Sequence, residues 1–437
     1  MISDKRRFRR ARIIAALRKT PPAPLAPPDT YPPKEVASML REIGIALIEV
    51  SQPTPNVEAR LQQIAAMYTT EPVQVVALPT ALMIQIGDEA YQIEGSTRSS
   101  LQLDAAGRID NIANLAEAGA ISPLAAVDAV ADARNMPPRF GTLATIGGYA
   151  VTTVGFGMVI NPTWDALPGY LFLGLVVGAV VQMSRPYPSL TPILPTLAAL
   201  VATVLAVKFV DAAASEGLLR VISPALVATL PGMSLTIGAM ELASSQIVSG
   251  SSRLVYGLSQ LAMLLFGVAI GVQIAGYPES RTPSAVMGSW SLYLAIVVVS
   301  IGLYIYLSAP PGSLFWLMAS VAVALLAQAA AGTVLSPSRS GFVGAFLSVP
   351  FALLAARIRT SPPSIVMLLA AFWSLVPGAL SFRTLGEAAA GGGPDSTSLA
   401  ATGAAILSIA LGTLAGWSIF YTIDSRLPWS KAPARRW

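Results

Sequence analysis

The 437-residue chain contains no cysteine and no histidine. That excludes disulfides, thiol chemistry and every zinc or haem site that needs either ligand. It also removes the side chain whose unperturbed pKa lies nearest neutrality, so any proton handling falls to carboxylates or to a lysine of lowered pKa. No Gly-x4-Gly-Lys-Ser/Thr phosphate loop is present, which argues against ATP-driven work by this chain alone. Charge is scarce too: 12% of residues are charged, against about 25% in a soluble domain. No cofactor or metal site is expected.

What fills the chain instead is apolar. Hydrophobic residues make up 54% and the mean hydropathy is +0.63. Between 140 and 423 the sequence is almost a continuous series of apolar segments separated by short clusters of Pro, Gly, Asn and isolated charges. A hydrocarbon layer about 30 Å thick needs roughly 20 apolar residues at 1.5 Å rise each. Ten candidate spans follow, at about 140–160, 168–183, 189–209, 219–240, 253–275, 288–307, 312–330, 340–356, 363–382 and 399–423. With the N-terminus cytoplasmic, the inner loops and C-terminal tail hold eight Lys or Arg and the outer loops five (Lys208, Arg220, Arg281, Arg339 and Arg383). The positive-inside rule therefore puts both termini in the cytoplasm and the chain in the cytoplasmic (plasma) membrane as a multi-pass protein.

Residues 1–33 are a basic tail followed by a Pro-rich linker. Eight Lys or Arg lie within residues 1–20, and seven prolines lie between Pro21 and Pro33. The apolar patch Ile13–Leu17 is too short for a signal-peptide core, so the tail reads as a cytoplasmic anchor drawn to anionic lipid. No folded nucleic-acid-binding module accompanies it, and nucleic acid is not an expected partner. Beyond the linker, Val36, Leu40, Ile43 and Leu47, then Val57, Leu61, Ile64 and Tyr68, recur at helical spacing. Val73–Leu78, Thr80–Ile86 and Ala90–Glu94 are short runs suited to three strands. A helix over Ile109–Leu115 follows, then one capped by Ser122 with Pro123 at its first position. Residues 34–135 are thus expected to form a small α+β cytoplasmic domain, and 424–437 a second basic tail.

Two local features stand out among the spans. Leu230-Pro231-Gly232-Met233-Ser234-Leu235-Thr236 interrupts the fourth, and Val376-Pro377-Gly378-Ala379-Leu380-Ser381-Phe382 interrupts the ninth, 146 residues later. Proline removes a helical donor and glycine eases unwinding. Backbone groups freed at membrane depth must face protein or a wet cavity. Each break is the fourth helix of a five-helix half, and an odd number of spans per half inverts the second half. The expected fold is therefore an α-helical polytopic membrane protein of about ten transmembrane helices, arranged as two five-helix inverted repeats over 140–275 and 288–423. Pro231, Gly232, Ser234, Thr236, Pro377, Gly378 and Ser381 are the candidate substrate-binding residues. The polar stretch after the first break supplies Glu241, Ser249, Gly250 and Arg253 as pathway or coupling candidates, with Arg383 in the second half, because charges within spans mark pathways. Glu241 is the candidate proton relay; the plainer alternative is a loop carboxylate paired with Arg253. Glycines four apart at Gly174/Gly178, Gly267/Gly271 and Gly412/Gly416 read as helix-packing positions.

The run Leu230-Pro-Gly-Met-Ser-Leu-Thr-Ile-Gly-Ala-Met-Glu-Leu242, with Val248-Ser-Gly-Ser-Ser-Arg-Leu254 downstream, resembles the Pro-Gly block of the threonine/serine exporter family. Leu375-Val-Pro-Gly378 with Arg383 resembles the marker of that family's C-terminal half, and Asn56-Val-Glu-Ala-Arg-Leu61 within Ala46–Ile86 is similar to its soluble portion. The chain departs from the family at Val50-Ser-Gln-Pro-Thr-Pro55, where prolines replace a small-residue turn. The resemblance implies a proton-driven carrier that exports small hydroxy amino acids, with membrane lipid and a small-molecule substrate as partners and no enzymatic activity. Two other classes stay open: a membrane-anchored sensor or scaffold whose soluble domain binds a ligand or partner, and a membrane-tethered hydrolase. The second lacks a base for any serine nucleophile. Substrate, direction, stoichiometry and oligomeric state are not encoded legibly.

Overall fold

The computed structural model describes residues 22–95, 102–184, 186–277, 284–375, 382, 383, 386 and 396–426. The chain divides into two compact units. The first comprises the described residues up to Pro137 together with Pro310–Trp316 and Phe351–Met367.

Its helices α1 (Pro33–Glu49) and α2 (Thr54–Tyr68) each carry proline in the first turn, where the missing N–H costs nothing. Val36, Leu40, Ile43 and Leu47 of α1, with Val57, Leu61, Ile64 and Tyr68 of α2, form the buried face that their spacing predicts. Strands β1 (Val73–Leu78), β2 (Ala81–Ile86) and β3 (Glu89–Gly95) make an antiparallel sheet in the order β1-β2-β3. Leu82, Ile84 and Ile86 alternate onto its buried face. A bulge between β2 and β3 falls at Leu82/Ile84, and Met83 between them is exposed. Gly44 lets α1 close on this face, since a Cβ there would run into Leu82 Cδ2 of β2 and lie 2.7 Å from Leu61 Cδ1 of α2. Helices α3 (Leu103–Glu117) and α4 (Pro123–Arg134) complete the layer, and the Ser122 hydroxyl accepts from Ala125 N–H as the cap.

Two arginines tie the first unit together. Arg60 reaches Asp110 at 2.7 Å, Glu117 at 2.6 Å and Asn114 at 3.0 Å. Arg134 grips both oxygens of Glu49, at 2.7 and 2.9 Å, and Glu42 at 3.2 Å. The Tyr68 hydroxyl donates to Ile121 O at 2.6 Å, and burial pushes its phenol up to about 12, keeping it a donor at neutral pH. The two late segments were not foreseen from the sequence. They dock on α3 where it presents Gly107, whose hypothetical Cβ would lie 3.2 Å from Val366, 3.6 Å from Pro310 and 3.7 Å from Pro363. Trp316 Nε1 donates to Thr360 O at 3.1 Å between them.

The second unit is helical: α5 (Thr142–Ile160), α6 (Leu167–Gln182), α7 (Leu194–Phe209, entered through a 3-10 turn Pro188–Ile193), α8 (Gly232–Ala243), α9 (Ile247–Ala275), α10 (Ser291–Tyr306), α11 (Leu314–Ala331), α12 (Pro337–Ala355), α13 (Ser364–Leu375) and α14 (Ser396–Arg426). Helices α11, α12 and α13 run on into segments of the first unit. Among the described residues six stretches are long and apolar enough to cross a membrane: 142–160, 189–209, 247–275, 314–331, 337–355 and 400–423. Three shorter apolar helices are α6, α10 and α13. The chain is a mostly helical, polytopic membrane protein. The span expected at 219–240 is not one helix. It consists of a short helix Leu218–Ile222, a run of turns, and α8.

Glycine sets the closest helix contacts. Antiparallel α5 and α10 meet where a Cβ at Gly155 would lie 2.6 Å from Val299 Cγ2 and one at Gly302 would lie 2.5 Å from Thr152 N. On α9, Gly267 lies against the Thr196 carbonyl and Gly271 against Thr203 and the Leu200 carbonyl, both on α7. On α14, Gly412 lies against the Phe342 carbonyl and Gly416 against Val349 and the Phe346 carbonyl, both on α12. Backbones this near exchange dispersion and weak Cα–H···O contacts that no larger residue permits.

Alanine at Gly267 or Gly412 should therefore overpack and cost about 1–3 kcal/mol at either site. Alanine at Gly403 of α14, which has open space around it, should cost nothing. Thermal unfolding of the purified variants in detergent measures the difference.

Candidate functional site

The break in the fourth segment has an evident chemical cause. Pro224 and Pro231 both lack the N–H that a continuing helix needs, so the backbone from Ser223 to Leu230 runs in turns. Leu226 N–H bonds back to Ile222 O at 3.2 Å, and Thr229 N–H to Leu226 O at 2.8 Å. Pro231 then stands at the N-cap of α8, and Leu235 N–H closes the first turn onto Pro231 O at 3.0 Å. Residues 221–227 are all buried, so the irregular backbone is enclosed by protein. The Tyr149 hydroxyl, from α5, donates to the Ala225 carbonyl at 2.6 Å and satisfies one of the released acceptors.

Helix α8 turns back into α9 through Ser244–Gln246. Gln246 N–H bonds to Glu241 O at 2.8 Å and Ser245 N–H to Leu242 O at 3.1 Å, with Ser245 in the left-handed region at φ 64°. This is a Schellman termination with serine in the place usually taken by glycine. The hairpin is tight because Gly238 and Gly250 face each other: a Cβ at Gly250 would lie 2.7 Å from Gly238 O. One turn beyond, Arg253 Nε donates to both oxygens of Glu241, at 3.1 and 3.2 Å. The Glu241 side chain is fully buried and that of Arg253 is 12% exposed. Glu241 therefore lies inside the last turn of α8 instead of in a loop, while the pairing with Arg253 weighed from the sequence is present.

The other sequence candidates fall as follows. Ser249 is buried at the start of α9, where its carbonyl accepts from Ser252 Oγ at 2.9 Å. Ser234 is half-buried. Thr236 is buried and its hydroxyl has no hydrogen-bond partner, and Arg253 Nη2 is likewise buried and unpartnered. Polar atoms orphaned this way inside a protein each cost about 1–3 kcal/mol, which marks the hairpin as a place where water or a polar ligand belongs. Pro377, Gly378 and Ser381 lie outside the described residues. Just after them, Phe382 is buried in one cluster with Leu219, Val221, Ile222, Ala225 and Leu226, and a Cβ at Gly386 would lie 2.7 Å from Leu219. The flanks of the two Pro-Gly sequences are therefore brought together.

Arg383 is half-buried, and the Tyr170 side chain, its hydroxyl included, is buried. That hydroxyl donates to Asn161 O at 3.1 Å, and Glu216 accepts from Ser284 N–H at 2.8 Å. Tyr149, Asn161, Tyr170 and Glu216 were not anticipated. Single polar residues at helix ends look like interfacial anchors until the fold gathers them. Among the described residues no three carboxylates come close enough to hold a metal ion.

The ThrE family model, that of threonine/serine exporters, matches residues 38–275, more than half of the 437 residues. The chain belongs to the threonine/serine exporter family. The matched stretch runs from α1 to the end of α9, so it includes the helices and sheet of the first unit, the Pro231 break and the Glu241–Arg253 pair. No curated protein and no solved structure matches the chain. Membership implies a small-molecule substrate and a lipid environment for this protein.

Removing Arg253 would strand the fully buried Glu241 carboxylate. Arg253→Ala should destabilise the protein by about 3–5 kcal/mol, while replacing both Glu241 and Arg253 by leucine and methionine should recover most of that loss. Thermal midpoints of the two variants in one detergent decide the matter. Equal losses would mean that the carboxylate is stable alone.

Proposed function

We propose that the protein is a secondary carrier that exports threonine- or serine-like amino acids across the cytoplasmic membrane, coupled to the proton gradient. Ten crossings would form two five-helix repeats of opposite orientation, with the first unit and both termini cytoplasmic. Family membership supports the substrate class. The observation that supports the repeat is the recurrence of glycine contacts at a nearly constant spacing. Thr196, Leu200 and Thr203 face Gly267 and Gly271; 146 residues after the first three, Phe342, Phe346 and Val349 face Gly412 and Gly416, themselves 145 residues after the first glycine pair. Pro231-Gly232 and Pro377-Gly378 differ by 146.

The crossing count is supported by which connections meet. Thr163 bridges Val286, Met287 N–H bonds to Pro162 O at 2.7 Å, and Glu216 holds Ser284 N–H, so the first, third and fifth connections of the second unit share one end. At the other end, Arg139, which precedes α5, bonds to Tyr304 OH at 3.2 Å and to Ala309 O, after α10. An even number of crossings between residues 139 and 309 fits this, and six makes the broken segment the fourth. The connections 310–316 and 351–367 both belong to the first unit, as alternating crossings require if that unit is cytoplasmic.

In this mechanism the breaks at Pro231-Gly232 and Pro377-Gly378 supply backbone groups for the substrate, with Ser234, Thr236 and Ser381 as hydroxyl contacts. Glu241 takes and releases the coupling proton. Protonating it would weaken its bond to Arg253, and Ser249, Gly250 and Arg383 would line the path. Reconstituted in vesicles, the protein should exchange labelled serine or threonine, and Glu241→Gln should keep that exchange while losing accumulation driven by a pH gradient. Unchanged gradient dependence in Glu241→Gln would remove it as the relay. Because the chain has no cysteine, Ser289→Cys and Thr360→Cys give a direct topology test. The first should react with an impermeant maleimide from outside intact cells, the second only after permeabilisation.

A further inference from the structure

Three aromatic rings run from the turns before Pro231 to the last described turn of α13. Tyr149, 1% exposed, gives its hydroxyl proton to Ala225 O in the turns before Pro231. Its ring meets that of Tyr306 edge-on, with centroids 4.9 Å apart and planes at 87°. Tyr306 in turn lies 6.3 Å from Trp373, centroid to centroid, at 51°. Trp373 is one helical turn before Pro377, near the end of α13. Its neighbour Ser374 closes its own hydroxyl onto Ala371 O at 2.7 Å. The indole of Trp373 does the opposite: its Nε1 is buried and has no hydrogen-bond partner.

Buried tryptophan N–H groups usually find an acceptor, and at membrane depth no bulk water replaces one. The indole N–H can only donate, so whatever completes it must bring an oxygen or another acceptor. Among the described residues no acceptor fills this role. A small amino acid carries three suitable oxygens, two of them anionic, and an ammonium group that is attracted to aromatic faces within about 6 Å. The Trp373 ring carries such a face beside its own donor, with the Tyr306 centroid 6.3 Å away. A cationic group over the rings and an anionic oxygen on Nε1 together match a zwitterion better than a sugar, a simple cation or a lipid tail.

We propose that Trp373 is a substrate-binding residue whose indole N–H donates to an oxygen of the transported amino acid, with Tyr306 and Tyr149 packed behind it to fix the ring and to connect it with the Ala225 turn. This rests on the carrier reading and names a contact which that reading lacks. The aromatic chain joins the backbone ahead of Pro231 to the last described turn of α13, which carries the donor.

The test uses full-length protein in proteoliposomes and labelled serine and threonine in counterflow. Trp373→Phe removes the N–H and keeps an aromatic ring. It should raise KM about tenfold or more, as losing a hydrogen bond to a charged group does, with maximal flux little changed. Without ligand its thermal midpoint should equal or exceed that of the wild type, because an unpartnered buried donor has been deleted; a packing role alone would lower it. The stabilisation that serine confers on the wild type should shrink in the variant. Trp373→His, a smaller ring that still offers an N–H, should restore much of the affinity. Counterflow with an unchanged KM in Trp373→Phe overturns the assignment and leaves the carrier standing. If the wild type exchanges no amino acid, the carrier reading falls and takes the assignment with it.

Discussion

A peptide group set free inside hydrocarbon has to find its partner within the protein. That constraint organises the second unit. Pro224 and Pro231 free the backbone between Ser223 and Leu230, so the surrounding helices must enclose it and offer donors. Buried Val221–Val227 shows the enclosure, and Tyr149 supplies a donor to Ala225. The same logic extends to side chains. A carboxylate as deeply buried as Glu241 is tolerable only with Arg253 alongside, and that pair needs the two helices closer than ordinary packing allows. Gly238 facing Gly250, with the serine-rich turn between, makes that approach possible.

Helix α8 is consequently held on two faces. Toward α9 it presents glycine contacts and the ion pair; toward α14 it presents Ala239 and Met240 against Ala410, with Ile406 and Leu414 nearby. One face is polar and specific, the other apolar and smooth.

Much of this could be read from the sequence, and the reasons for success and failure differ by element. Most apolar runs located a helix of the second unit to within several residues because length in hydrocarbon is a physical requirement, whereas the run 219–240 is divided by turns. Ser122-Pro123 located a helix start because capping is local chemistry. The Pro231 break was visible for the same reason, although the turns extending back to Ser223 were not, since they depend on Pro224 acting in concert. The Glu241–Arg253 pair sits twelve residues apart in sequence, and only the tight hairpin turn brings it into register. Tyr149, Tyr170, Glu216 and Trp373 carry no local signature. Their significance arises from which distant carbonyl, hydroxyl or ring lies opposite, and single-residue polarity cannot convey that. The docking of 310–316 and 351–367 on α3 was equally hidden, because proline-rich connections between spans look alike whether or not they touch anything.

That docking has a consequence for how the protein is made. About two hundred residues separate Gly107 from Pro310, and about fifty more are needed to reach Val366. At roughly 5–20 residues per second, a ribosome needs on the order of ten seconds or more to supply the missing pieces. During that interval the α1–α4 layer is finished except for one bare face beside Gly107. The nascent chain is therefore open to a chaperone or to premature association at that face, and closure comes only after Pro310–Trp316 and Phe351–Met367 have emerged.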